Sequence, residues 1–80
     1  MENQIAVLAI IVHDPKAVEA VNSKLHDFRE HIVGRLGLPQ KEKKLSVISV
    51  ILDAPQETIN SLSGKIGMID GVTSKVLITK

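Results

Sequence analysis

The chain has no cysteine, no tryptophan and no tyrosine, and Phe28 is its only aromatic residue. Without cysteine there is no disulfide framework, no thiolate metal centre and no redox pair. A single ring gives no platform for stacking bases or sugars, which counts against RNA recognition. Charge of one sign is missing too. Ten basic and nine acidic residues leave a formal +1, so no strong field draws the chain to nucleic acid or to a membrane. The opening apolar run, Ile5 to Val12, is too short to span a bilayer and lacks the basic front of a signal peptide. The expectation is a cytoplasmic protein with no membrane partner and no direct nucleic-acid partner.

What is present is aliphatic. Eighty residues make one domain, 1–80, and 44% of them are hydrophobic. A domain of this size is close to the limit at which burial offsets chain entropy. With disulfides excluded, self-association is the most available additional support.

Ile5 to Val12 is a continuous β-branched run that reads as a strand buried on both faces. Asp14 and Pro15 then form a helix start, with Asp14 as cap and Pro15 in the first turn. Val18, Val21, Leu25 and Phe28 recur at helical spacing among polar residues, predicting an amphipathic helix of about four turns. His31 to Leu38 reads as an edge strand that bends or bulges at Gly34 and Gly37. Pro39 to Lys44 is a polar connection and Leu45 to Leu52 a second β-type run. Ala54-Pro55 opens another helix, with Asp53 or Ala54 as its cap and Ile59, Leu62 and Ile66 as its stripe. Gly64, Gly67 and Gly71 are expected to end it before a last strand, Val72 to Thr79.

A shift of forty positions lays Ile10-Ile11-Val12 on Val50-Ile51-Leu52 and Pro15 on Pro55. Two βαβ units in tandem give β1-α1-β2-β3-α2-β4, an α+β, ferredoxin-like plan: a four-stranded antiparallel sheet with two helices on one face. The first and third strands, the most apolar, belong at its centre. Their outer face is the difficulty. If Leu8, Ile10 and Val12 face the helices, Val7, Ala9 and Ile11 face away. If Ile48, Val50 and Leu52 face the helices, Leu45, Val47, Ser49 and Ile51 do not. A wetted antiparallel face should alternate apolar with polar, and this one does not. Each aliphatic side chain left there forgoes about 1–3 kcal/mol of burial. Val7, Ala9, Ile11, Val33, Val47, Ser49 and Ile51 are therefore expected to form a homo-oligomer interface, in a homodimer or tetramer.

Candidate chemistry is sparse. Gly34-Arg35-Leu36-Gly37 and Gly64-Lys65-Ile66-Gly67 match the spacing of a GXXG nucleic-acid loop, but the first falls in a strand and the second at a helix end. His13, His26 and His31 show no metal-ligand spacing, and His26 with Glu30 reads as a solvated helix pair. No nucleophile, acid and base converge, so no catalytic residue and no cofactor are expected. Lys41-Glu42-Lys43-Lys44 reads as a solvated hairpin loop. The segment that stands out is His31 to Pro39. Counted at period two from Ile32 and Leu36, Arg35 points to the open face. Flanking glycines permit close approach of another molecule. His31, Gly34, Arg35 and Gly37 are thus the expected binding residues for a small anionic or amino-acid-like effector.

Several blocks together carry a family resemblance: Val21-Asn22, Leu25-His26-Asp27-Phe28, Ile32-Val33-Gly34-Arg35-Leu36-Gly37-Leu38-Pro39, Leu45 to Pro55, Gly64-Lys65-Ile66-Gly67 and Gly71-Val72. They resemble the iron-only hydrogenase system regulator family of small bacterial proteins. That resemblance implies an ACT-like fold, similar to the C-terminal domain of the nickel-responsive repressor, and a regulatory role tied to iron-only hydrogenase assembly. The chain departs from the nickel repressor in having no cysteine and no paired histidine ligands, which speaks against nickel sensing. Its first strand starts by Gln4 or Ile5, so direct operator binding is not expected. The functional expectation is a small oligomeric regulatory or ligand-sensing module, not an enzyme. The alternative is a structural module that docks on another protein through its sheet and takes no small ligand.

Overall fold

The structure, a computed structural model, describes residues 2–79. Strand β1 is Asn3–Val12, followed by a 3-10 turn at Pro15–Ala17 and helix α1 at Val18–Asp27. A second 3-10 turn, Arg29–His31, leads into β2, Ile32–Gln40. Then come β3, Leu45–Pro55, α2, Gln56–Gly67, and β4, Val72–Ile78. The sheet order is β2-β3-β1-β4, with every neighbouring pair antiparallel. This is the ferredoxin-like arrangement, with β1 and β3 central.

The core lies between the sheet and the two helices. Leu8, Ile10 and Val12 from β1 meet Ile48, Val50 and Leu52 from β3, all buried. Val21 and Leu25 of α1 and Ile59, Leu62 and Ile66 of α2 close over them. Every buried side chain there is apolar. Phe28 packs against the edge of this core, with the Lys65 ammonium 5.3 Å from its ring centroid.

One corner ties the two halves together. The Gly71 carbonyl accepts from the backbone N–H groups of His13 (2.6 Å) and Asp14 (3.3 Å). Asp14 Oδ1 in turn accepts from the Lys16 N–H at 3.0 Å and caps the 3-10 turn. Gly71 has φ +81°, and a Cβ there would lie 2.6 Å from Asp14 Cβ. Both its backbone conformation and its surroundings call for glycine.

Four local expectations need correction. The first helix is not four α-turns: a 3-10 turn occupies Pro15–Ala17 before the α-helix begins. Asp53 does not cap α2. It pairs with Ile5 inside the sheet, and β3 runs on to Pro55, which precedes the helix without a side-chain cap. Gly64 lies within α2 and does not end it. The fourth concerns the direction of Arg35. The register between β2 and β3 slips between Ile32 and Gly34, so Val33 and Gly34 together oppose Ile51. One extra residue reverses the face of all that follows. Arg35 pairs with Val50 and Gly37 with Ile48, both core residues, so Arg35 lies on the helix side of the sheet.

Candidate functional site

Two surfaces stand out: the open face of the sheet and a groove on its helix side.

On the open face, β1 contributes Ile5, Val7, Ala9 and Ile11, and β3 contributes Val47, Ser49 and Ile51. The bulge brings Val33, Leu36 and Leu38 of β2 to the same side, and β4 adds Thr73, Lys75 and Leu77. Of the nine large hydrophobic side chains exposed among the described residues, eight are on this face: Ile5, Val7, Ile11, Val33, Leu36, Leu38, Val47 and Leu77. Exposure runs from 36% at Val7 to 75% at Leu77. Such a patch across all four strands is larger than ordinary scattered surface aliphatics. Polar groups gather at its β4 side, where His13 Nε2 and Thr73 Oγ1 are 3.1 Å apart. A shallow depression of about 190 Å³ lies between Ala9, Ile11, Thr73 and Lys75.

The four residues expected to bind an effector do not converge. Gly34 opposes Ile51 on the open face, whereas Arg35 and Gly37 are on the helix side. His31 is half-buried at the end of the 3-10 turn, where its N–H donates to the Phe28 carbonyl at 2.9 Å. The exposed Arg35 reaches back to α1 and donates through Nη2 to Asn22 Oδ1 at 3.0 Å. Its other guanidinium N–H groups are open to further acceptors. Neither Gly34 nor Gly37 has positive φ, and an added Cβ at either would meet nothing within 4 Å. Nothing inside the chain requires glycine at these positions.

The groove was not foreseen. It has a volume of about 430 Å³, within the range of small-molecule sites, whereas the depression on the open face is below it. From the β1–α1 connection it is lined by Val12, His13, Pro15 and Val18, and from the hairpin by Pro39 and Ser46. Lys41 and Lys44 close it at the hairpin end. The cause is geometric. The β2–β3 hairpin continues to Gln40 and Leu45, and facing it α1 begins only after a 3-10 turn. Lys44, at the end of the hairpin loop, has φ +56°, a conformation that costs most side chains about 1–2 kcal/mol. The signals were in the sequence as Pro15, Pro39 and the lysine run, but only the fold juxtaposes them. Among the described residues no three His, Asp or Glu side chains cluster to hold a metal, and no helix is long and apolar enough to cross a membrane.

Comparison with known proteins agrees with the fold. Over 99% of its length the chain superposes on all of the uncharacterized protein TM1266 from Thermotoga maritima, with TM-score 0.94 and 40% identity. It also resembles the C-terminal domain of the MgtC protein from Mycobacterium tuberculosis, with TM-score 0.76, 14% identity, and coverage of 96% of this chain and 88% of that one. A formyltetrahydrofolate deformylase from Pseudomonas putida KT2440 matches at TM-score 0.65 and 11% identity, over 91% of this chain and 28% of that one. These last two likenesses concern fold alone. No curated protein matches the chain. A family model does, across residues 4–76: the TM1266-like family, described as "Iron-only hydrogenase system regulator, putative". With nearly the whole chain inside that match, the protein belongs to the TM1266-like family of iron-only hydrogenase system regulators.

Proposed function

We propose that the chain is a cytoplasmic, homo-oligomeric regulatory module of the iron-only hydrogenase system, without enzymatic activity of its own. Copies assemble through the helix-free face of the sheet and respond to a small anionic or amino-acid-like effector. The observation that carries this reading is the open face itself, with eight large aliphatic side chains exposed on one side of four strands. Val7, Ala9, Ile11, Val33, Val47, Ser49 and Ile51 form the centre of the interface, and Leu36, Leu38 and Leu77 extend it. Gly34 opposes Ile51 on this face and leaves room for a neighbouring backbone. Family membership supports the regulatory role. Arg35, tied to Asn22 by one nitrogen and flanked by Gly34 and Gly37, supports an anion contact along β2, with His31 at the strand's start.

The test is thermal. Unfolding of an oligomer is linked to protein concentration by mass action, and unfolding of a monomer is not. The expected result is a Tm that climbs as the protein is concentrated through the micromolar range and rises again with an anionic metabolite. A Tm independent of protein concentration contradicts assembly. A concentration-dependent Tm that no metabolite moves favours the partner-docking alternative.

A further inference from the structure

We infer that the groove between α1 and the β2–β3 hairpin is the effector site, and that its ligand is a small amphiphilic carboxylate. The carboxylate lies beside Lys41 and Lys44, and the apolar body lies against Pro15, Val18 and Pro39. This rests on the effector part of the function proposed above, moves the anion contact from Arg35 and His31 to the lysines of the groove, and does not depend on the assembly part.

The walls argue for an apolar body. Val12 and Val18 are aliphatic, and Val12 continues the core. Pro15, in the 3-10 turn before α1, and Pro39, on β2, both line the groove. Proline has no backbone N–H, so these two positions present no donor that a hydrocarbon would strand. Their rings also hold the walls without further ordering, which lowers the entropic cost of binding.

The rim argues for an anion. The hairpin loop Lys41-Glu42-Lys43-Lys44 carries three ammonium groups against one carboxylate, and it is Lys41 and Lys44 that line the groove. No acidic side chain lines it. Lys44 holds φ +56°, where glycine or asparagine would sit with less strain. That conformation belongs to the residue whose charge bounds the site. A ligand with an ammonium group would meet only like charge there.

Arg35 lies further along the helix side of β2, outside the lining of the groove. Pro39, Gly37 and Arg35 alternate along the helix side of β2, while Val18 and Asn22 are one turn apart on α1. Gly37 has no side chain to fill the space between Pro39 and Arg35, and an added Cβ there would meet nothing. Arg35 stands about 13 Å from Pro39 at strand rise, four residues away. It is therefore too far from the groove to share its ligand, and the carboxylate is assigned to the lysines.

The experiment uses the full chain labelled with 15N and titrated with octanoate, with acetate and octylammonium as controls. The expected result is saturable shifts of the Val12, Val18 and Ser46 amides with octanoate alone. The double variant Lys41→Glu/Lys44→Glu, on an exposed loop, should weaken octanoate at least about tenfold while keeping the dispersed spectrum of the folded chain. Saturable shifts confined to Val7, Ile11 and Lys75 would move the site to the open face and overturn the assignment. So would equal response to octylammonium, or no saturable response to octanoate. Shifts at Val18 and Ser46 on dilution of the protein alone would give the groove to a second copy, and would also overturn it. Sedimentation of the same samples separates the two readings. A monomer that binds octanoate in the groove sinks only the assembly, and an oligomer that ignores octanoate sinks only this inference.

Discussion

The two faces of β1 are made of the same kinds of residue and live in different surroundings. Leu8, Ile10 and Val12 are at most 1% exposed beneath the helices, whereas Val7 and Ile11, one position along, are 36% exposed. β3 repeats the contrast, with Ile48 and Val50 buried and Val47 exposed. Residue type does not follow covering. A strand facing water on one side normally turns polar there, because polar side chains lose nothing by hydration. Here the uncovered side keeps the composition of an interior, which is how a surface looks when another surface completes it.

That contrast can be broken by substitution, and the largest effect should come from the covered face. Ile10→Ala is expected to cost about 2–5 kcal/mol in urea unfolding, through lost burial and an unfilled cavity. Ile11→Ala, its neighbour on the open face, should cost less than about 1 kcal/mol when the protein is dilute, and more as the protein is concentrated. Equal costs at all concentrations would mean that the two faces do not differ in the way described.

The glycines sharpen the same contrast at smaller amplitude. Gly71→Ala should lose about 1–3 kcal/mol, because it combines a left-handed backbone with a clash against Asp14 Cβ at 2.6 Å. Gly34→Ala, with negative φ and open space around it, should leave the dilute chain unchanged or stabilise it by about 0.4–1 kcal/mol. In concentrated samples the added methyl should instead weaken assembly, since Gly34 opposes Ile51 on the open face through which copies are proposed to meet. Chemical denaturation at two protein concentrations checks both variants. Stabilisation of Gly34→Ala at both would remove Gly34 from the interface.

How far these features were legible in the sequence follows from where the information is held. The central strands could be read because burial on a regular strand depends only on parity. Leu8, Ile10 and Val12 inward, and Val7 and Ile11 outward, follow once one of them is placed. Arg35 could not be placed this way. Parity carries only as far as the ladder is regular, and the extra residue at Val33/Gly34 reversed every side chain downstream. A bulge was foreseen at the glycines, but its consequence for Arg35 was not. Asp53 misled for a related reason: a cap signal next to Pro55 is local, and pairing with Ile5 won over it. The groove was invisible because it is a property of lengths. It exists where a hairpin ending at Gln40 and Leu45 meets a helix that begins at Val18, and no short window contains both. Lys41 and Lys44 are exposed, as their charge suggests, but charge says nothing about the apolar wall beside them.

The most direct measurement is sedimentation equilibrium of the wild-type chain at micromolar concentration, beside the double variant Val7→Lys/Val47→Lys. The wild type is predicted to sediment as a multiple of its 8.7 kDa chain mass, and the variant as a folded single chain. A wild type that sediments at 8.7 kDa throughout that range would contradict the account.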